Sequence, residues 1–210
     1  MSGGQPGGQV RTASLAWDTV VRPALGRMAG ELKSVPFSLV VLAYFLGTAA
    51  ATGSFLAGPP EHLLAVAGVS AEGLRAGHWW TLFTSLFFAT NPLAYVAASL
   101  MIVILLGLAE RKLGTRAAAG LLFGGQFAAV TLFLLITQLA GYVRDGWLDQ
   151  MADDILIGPY GPVLTAGLAG SARLPVLWQR RLRTAVLSVS LLLVLYVGHA
   201  ETVIGLLGAL

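Results

Sequence analysis

Apolar residues in this chain gather into long uncharged runs, not into the spaced stripes of a soluble helix or the alternation of a strand. Residues 36–56 (PFSLVVLAYFLGTAAATGSFL) contain no charged side chain. At 1.5 Å per residue, such a run crosses a hydrocarbon core of roughly 30 Å. Comparable runs at 92–109, 117–142, 155–174 and 182–198 predict four further spans. Residues 201–210 start a sixth that is half the length of a crossing. Unless that last segment is re-entrant, the sequence is expected to be a piece of a longer protein. The expected fold class is all-α, a polytopic membrane helix bundle with an incomplete sixth helix.

The run at 155–174 differs from the others because Gly158, Pro159, Gly161 and Pro162 break its head. Backbone groups freed in hydrocarbon cost several kcal/mol each, so a lipid-facing place suits it poorly. Its small residues (Gly158, Gly161, Ala166, Gly167, Ala169, Gly170) suit the centre of a bundle, where neighbouring helices approach closely.

The segments between the runs are assigned in the same way. Residues 1–14 are too rich in Gly, Ser and Gln to bury a core and are expected to be disordered. Residues 15–35 suit either a short interfacial helix or a solvated linker. The domain division is therefore 1–34, an N-terminal and juxtamembrane segment, and 35–210, the transmembrane domain. The loop after the first span holds an apolar patch at 63–69, Trp79 and Trp80 at aromatic-belt positions, and a half-buried lead-in at 79–89. In the third span, Gly120 and Gly124 have the spacing of a close helix contact, and Gln126, Thr131, Thr137 and Gln138 are expected to hydrogen-bond to neighbouring helices.

Composition agrees with this class: 56% of residues are hydrophobic, 11% are charged and mean hydropathy is +0.78. The pI of 9.6 reflects a net charge of only +3, so no direct nucleic-acid binding is expected. There are no cysteines, which excludes disulfides, thiolate metal sites and a cysteine nucleophile. With the N-terminus in the cytoplasm, the inner side receives Arg11, Arg22, Arg27, Lys33, Arg111, Lys112, Arg116, Arg173, Arg180, Arg181 and Arg183. Only Arg75 and Arg144 fall outside, with most of the acidic residues, as the positive-inside rule requires.

Candidate chemistry is sparse. Arg173, Arg180, Arg181 and Arg183, with Trp178 among them, form a predicted basic loop around Pro175. Such a cluster suits anionic lipid head groups, and it also suits plain positive-inside anchoring. Glu110, beside Arg111, suits a helix-end cap. His62, His78 and His199 lack the carboxylate spacing of a metal site, and neither a metal nor a cofactor is expected.

Four motifs resemble those of rhomboid intramembrane proteases. Gly77-His78-Trp79-Trp80-Thr81-Leu82-Phe83-Thr84-Ser85 resembles their G-x-W-W-R-x-x-T-S signature, and Gly107 to Gly114 (GLAERKLG) their G-x-x-x-E-x-x-x-G helix exit. Gly158-Pro159-Tyr160-Gly161 lies where their G-x-S-G opens the fourth helix, and Thr202-Val203-Ile204-Gly205 where the sixth carries H-x-x-G. The resemblance implies a rhomboid-like six-helix topology. It also implies that the chemistry is lost: Tyr160 stands for the nucleophilic serine, Thr202 for the histidine base, and Ala94 and Ala98 for the two oxyanion donors.

Within that likeness, Ser34-Val35-Pro36-Phe37, residues 109–116 (AERKLGTR) and above all 172–183 (ARLPVLWQRRLR) resemble the membrane half of bacterial lysylphosphatidylglycerol synthetase/flippase proteins. This resemblance implies a multi-pass plasma-membrane module that holds or translocates an anionic phospholipid, phosphatidylglycerol or its lysyl ester. It further implies a cytoplasmic transferase domain after the sixth helix and a role in resistance to cationic antimicrobial peptides. The alternative is a catalytically inactive rhomboid-like protein that binds transmembrane clients.

Overall fold

A computed structural model of the chain describes residues 34–140, 155–197 and 206. The expectations for residues 1–33, the acidic linker 143–154, His199, Thr202 and the incomplete sixth span lie outside the described residues. From Phe37 onward the described residues belong to one compact unit. Regular structure among them is helical, apart from a single antiparallel bridge between Val69 and Leu156.

The first span forms helix α1 (Pro36–Ala51), which ends earlier than expected; after a left-handed turn at Gly53, a single turn α2 (Ser54–Ala57) completes the run. The loop that follows folds into α3 (Glu61–Ala67), α4 (Ala71–Arg75) and α5 (Thr81–Thr84), with a 3-10 turn over Ser85–Phe87. Local chemistry fixes these starts: the Ser70 hydroxyl caps α4 by accepting the Gly73 N–H at 3.0 Å.

Helix α6 (Pro92–Leu113) carries the second span and is, among the described residues, the helix long and apolar enough to cross a membrane. Asn91 caps it by accepting the Ala94 N–H at 2.9 Å, and Pro92 occupies its first turn, where no N–H partner is needed. A π-helical turn over Ile102–Leu106 interrupts it, and Gly114, at φ +91°, ends it. Helix α7 (Thr115–Ala140) follows at once, then α8 (Tyr160–Ser171) and α9 (Val176–Val197).

Helix α8 is the centre, as its composition predicted. Gly161, Ala166, Gly167 and Gly170 are buried on it. A Cβ on Gly167 would lie 2.7 Å from Leu105 Cβ, and one on Gly170 would lie 2.7 Å from Ala109 Cα. Gly167 meets Leu105 and Gly170 meets Ala109, so α6 and α8 run parallel in near contact. Around this seam, Phe45, Tyr95, Ile102, Leu106, Leu122 and Val163 form the main core.

Three expectations need correction. The fourth helix starts at Tyr160, not at residue 155, because Leu156 is held in a bridge to Val69 and Gly158 adopts φ +108°. The fifth starts at Val176, so Arg180, Arg181 and Arg183 lie on α9 rather than in a loop. Gly120 and Gly124 face open space, whereas Gly125 meets the Thr165 side chain, its would-be Cβ 3.0 Å from Thr165 Cβ. Consequently Gly120→Ala, in an exposed helix interior, should raise the unfolding free energy by about 0.5–1 kcal/mol, read as a higher thermal midpoint in detergent.

Glu110 positions the helix ends. It is 3% exposed, and its Oε2 accepts from the Ser38 N–H and the Ser38 hydroxyl, both at 2.8 Å. Its Oε1 accepts from the Phe37 N–H and the Thr115 hydroxyl, both at 2.9 Å. One carboxylate therefore caps the start of α1 and ties it to the α6–α7 corner, which is the helix-end role its sequence context suggested.

Candidate functional site

The head of α8 is where the sequence placed a degenerate nucleophile turn. Residues 155–158 lead into it: Leu156 and Val69 exchange N–H···O bonds of 2.7 and 2.9 Å, and the Gly158 N–H donates to the Ser85 carbonyl at 2.8 Å. Glycine is required at position 158, since a Cβ there would come within 2.6 Å of the Tyr160 ring, in a backbone region L-residues avoid. After Pro159 the helix begins, and the first side chain it presents is Tyr160.

Tyr160 is half-buried, and its hydroxyl donates to the Ala94 carbonyl at 3.3 Å. Ala98 is fully buried in the cluster against which Ala94 and Tyr160 also pack. The fold thus brings together three of the positions that sequence alignment by motif had assigned to nucleophile and oxyanion donors. Two methyl groups and a phenol bonded to a backbone carbonyl supply neither a base-activated nucleophile nor side-chain donors for an oxyanion. Thr202 lies outside the described residues. Tyr160→Phe should cost about 1 kcal/mol of stability, the net worth of one partly buried hydrogen bond, measured by chemical unfolding in detergent.

Sequence reasoning missed the cavity beside this tyrosine. Ser85, Gln126, Leu156, Ile157, Gly158, Tyr160 and Gly161 line a cavity of about 10 Å³, the space of one water. Gln126 Nε2 donates to Ser85 Oγ at 3.2 Å. Its partner is thus on the 3-10 turn before α6. Thr131, by contrast, turns back to its own helix and donates to the Phe127 carbonyl at 2.7 Å. An isolated glutamine within an apolar run was the available signal, but the loop it meets is 41 residues away.

The second site is the basic turn and the start of α9. Arg173 lies in the turn after α8; Trp178, Arg180, Arg181 and Arg183 occupy the first turns of α9, and all five are exposed. The helix begins there because Pro175 sets its first turn, its carbonyl accepting the Gln179 N–H at 3.0 Å, and arginine is a good helix former. The Arg181 guanidinium carbon lies 5.8 Å from the Trp178 ring centroid, a cation–π pair across one helical turn. The parallel seam between α6 and α8 sets Arg173 at the same end of the bundle as exposed Arg111, Lys112 and Arg116. Positive charge, aromatic surface and adjacent apolar helix faces therefore share one end.

Elsewhere, the His78 ring lies 4.6 Å from that of Trp80, and Trp79, Trp80 and Phe83 are exposed around it. Comparison with protein-family models, curated proteins and solved structures gave no match to the chain.

Proposed function

We propose that this chain is a rhomboid-like, multi-pass membrane module without proteolytic chemistry, which holds or translocates anionic phospholipid for a lysylphosphatidylglycerol synthetase/flippase. The observation that carries the reading is the exposed cluster of Arg173, Arg180, Arg181 and Arg183 around Trp178, at the end of the bundle that also carries Arg111, Lys112 and Arg116. Phosphate head groups attract such cations by about 1 kcal/mol each, and a tryptophan beside them suits the interfacial layer.

Embedding in a bilayer is supported by the outer faces of the helices. Tyr44 on α1, Leu93 and Ile104 on α6, Phe127 and Leu135 on α7, and Leu191 and Leu192 on α9 are all exposed. Large apolar side chains exposed on several helices suit hydrocarbon as their solvent. On this reading the N-terminus lies in the cytoplasm, the basic end faces the same side, and a cytoplasmic transferase domain supplies the chemistry on lipid.

The test is a titration of the purified chain with short-chain phosphatidylglycerol, with phosphatidylcholine as the control. Replacing Arg173, Arg180, Arg181 and Arg183 together by glutamine should weaken phosphatidylglycerol binding by roughly fivefold per arginine and leave the control unchanged. Unchanged affinity in a correctly inserted variant would reduce the arginines to orientation anchors and favour an inert rhomboid-like protein that binds transmembrane clients.

A further inference from the structure

Gln126, which lines the cavity at the head of α8, has a side-chain acceptor with no partner. Gln126 is 5% exposed and uses its amide nitrogen on Ser85, while its Oε1, also buried, has no hydrogen bond. A buried amide oxygen left bare is costly, and this one lies in a low-dielectric interior where the cost is greatest. The cavity beside it has the volume of one water and polar groups on more than one wall.

We infer that this cavity is a binding site for a single ordered water, which donates to Gln126 Oε1. Its other partners are also on the walls. The Ser85 hydroxyl donates to the Leu82 carbonyl only at 3.5 Å, the long limit of a hydrogen bond, so it is able to turn toward the cavity. Gly161 stands in the first turn of α8, where an N–H has no acceptor within its own helix. A water accepting from Gly161 and bonding to Ser85 and Gln126 makes the usual three contacts of a buried water. It completes the polar seal where non-helical backbone meets the bundle, and it joins the loop (Ser85), α7 (Gln126) and α8 (Gly161). The inference is independent of the lipid reading.

X-ray hydroxyl-radical footprinting of the full chain in nanodiscs tests it, because radicals form at bound waters and label the side chains around them. Leu156 and Ile157 line the cavity at 4% and 5% exposure; Leu82 and Leu105 are slightly more exposed, at 6% and 8%, and do not line it. Leu156 and Ile157 should be labelled severalfold faster than Leu82 and Leu105. In Gln126→Leu the excess should disappear; Gln126→Met, which fills the same space without a strong acceptor, carries the same expectation should the leucine variant not fold. Equal or slower labelling of Leu156 and Ile157 in the unaltered chain would overturn the inference, as would fast labelling that survives the loss of Gln126.

Discussion

Glu110→Ala will destabilise the bundle by roughly 3 kcal/mol or more, the largest loss expected from any single side-chain truncation here. Four donors converge on this carboxylate: the Phe37 and Ser38 N–H groups and the Ser38 and Thr115 hydroxyls. The two N–H groups belong to the first turn of α1, where no intrahelical acceptor exists, so truncation strands them. Hydrogen bonds to a charged acceptor are worth about 1.5–3 kcal/mol, and an unsatisfied buried donor costs about 1–3 kcal/mol more. Glu110→Gln keeps one acceptor oxygen but turns an amide toward the remaining donors, so its loss should fall between those of the alanine variant and the parent. Chemical unfolding of the full chain in detergent measures both; an alanine variant within 0.5 kcal/mol of the parent contradicts the role assigned to the carboxylate.

The second large effect is expected at the seam between α6 and α8. A Cβ on Gly170 would lie 2.7 Å from Ala109 Cα and 2.9 Å from Ala109 N, against the 3.5–4.0 Å of an ordinary carbon contact. Those are backbone atoms, so no rotamer change relieves the clash and the helices must separate. Gly170→Ala should cost about 1–3 kcal/mol, and Gly170→Val more, with loss of folded protein on size-exclusion chromatography. Gly167→Ala should behave alike, since its nearest obstacle, Leu105 Cβ at 2.7 Å, is likewise fixed by the backbone. Gly120→Ala provides the contrast, being the same change on a face that meets nothing.

The difference between Gly120 and Gly170 shows how far the sequence was legible. Helix α8 was recognisable as the centre because its small residues were too many and its head too broken for lipid contact. The buried face of α7 was not recognisable. Ala118, Leu122, Gly125 and Ala129 line its inner side at spacings of four and three, but the outer side is equally apolar, with Phe123, Phe127 and Leu132 exposed. With both faces equally apolar, the pattern carries no direction, and Gly120-x-x-x-Gly124 lies on a face that meets nothing.

Charge was informative where polarity was not. Glu110 was expected at a helix end and caps one, although its partners on α1, 72 and 73 residues away, were beyond any local signal. In sequence, the arginines after Pro175 resemble a basic loop. They lie instead on the first turns of α9, which starts before the apolar run and keeps its charged positions exposed. At the candidate site, the Tyr160 hydroxyl bonds to the Ala94 carbonyl, a contact across 66 residues. The cavity shared by Gln126 and Ser85 depends on a loop folding back onto a helix, a contact made by tertiary packing alone.

Native mass spectrometry of the purified full chain, released from nanodiscs that contain equal phosphatidylglycerol and phosphatidylethanolamine, tests the central claim most directly. Retained lipid should be predominantly phosphatidylglycerol, and the preference should vanish when Arg173, Arg180, Arg181 and Arg183 are replaced by glutamine. Lipid retained in the proportions of the nanodisc, by parent and variant alike, would contradict a lipid-handling module.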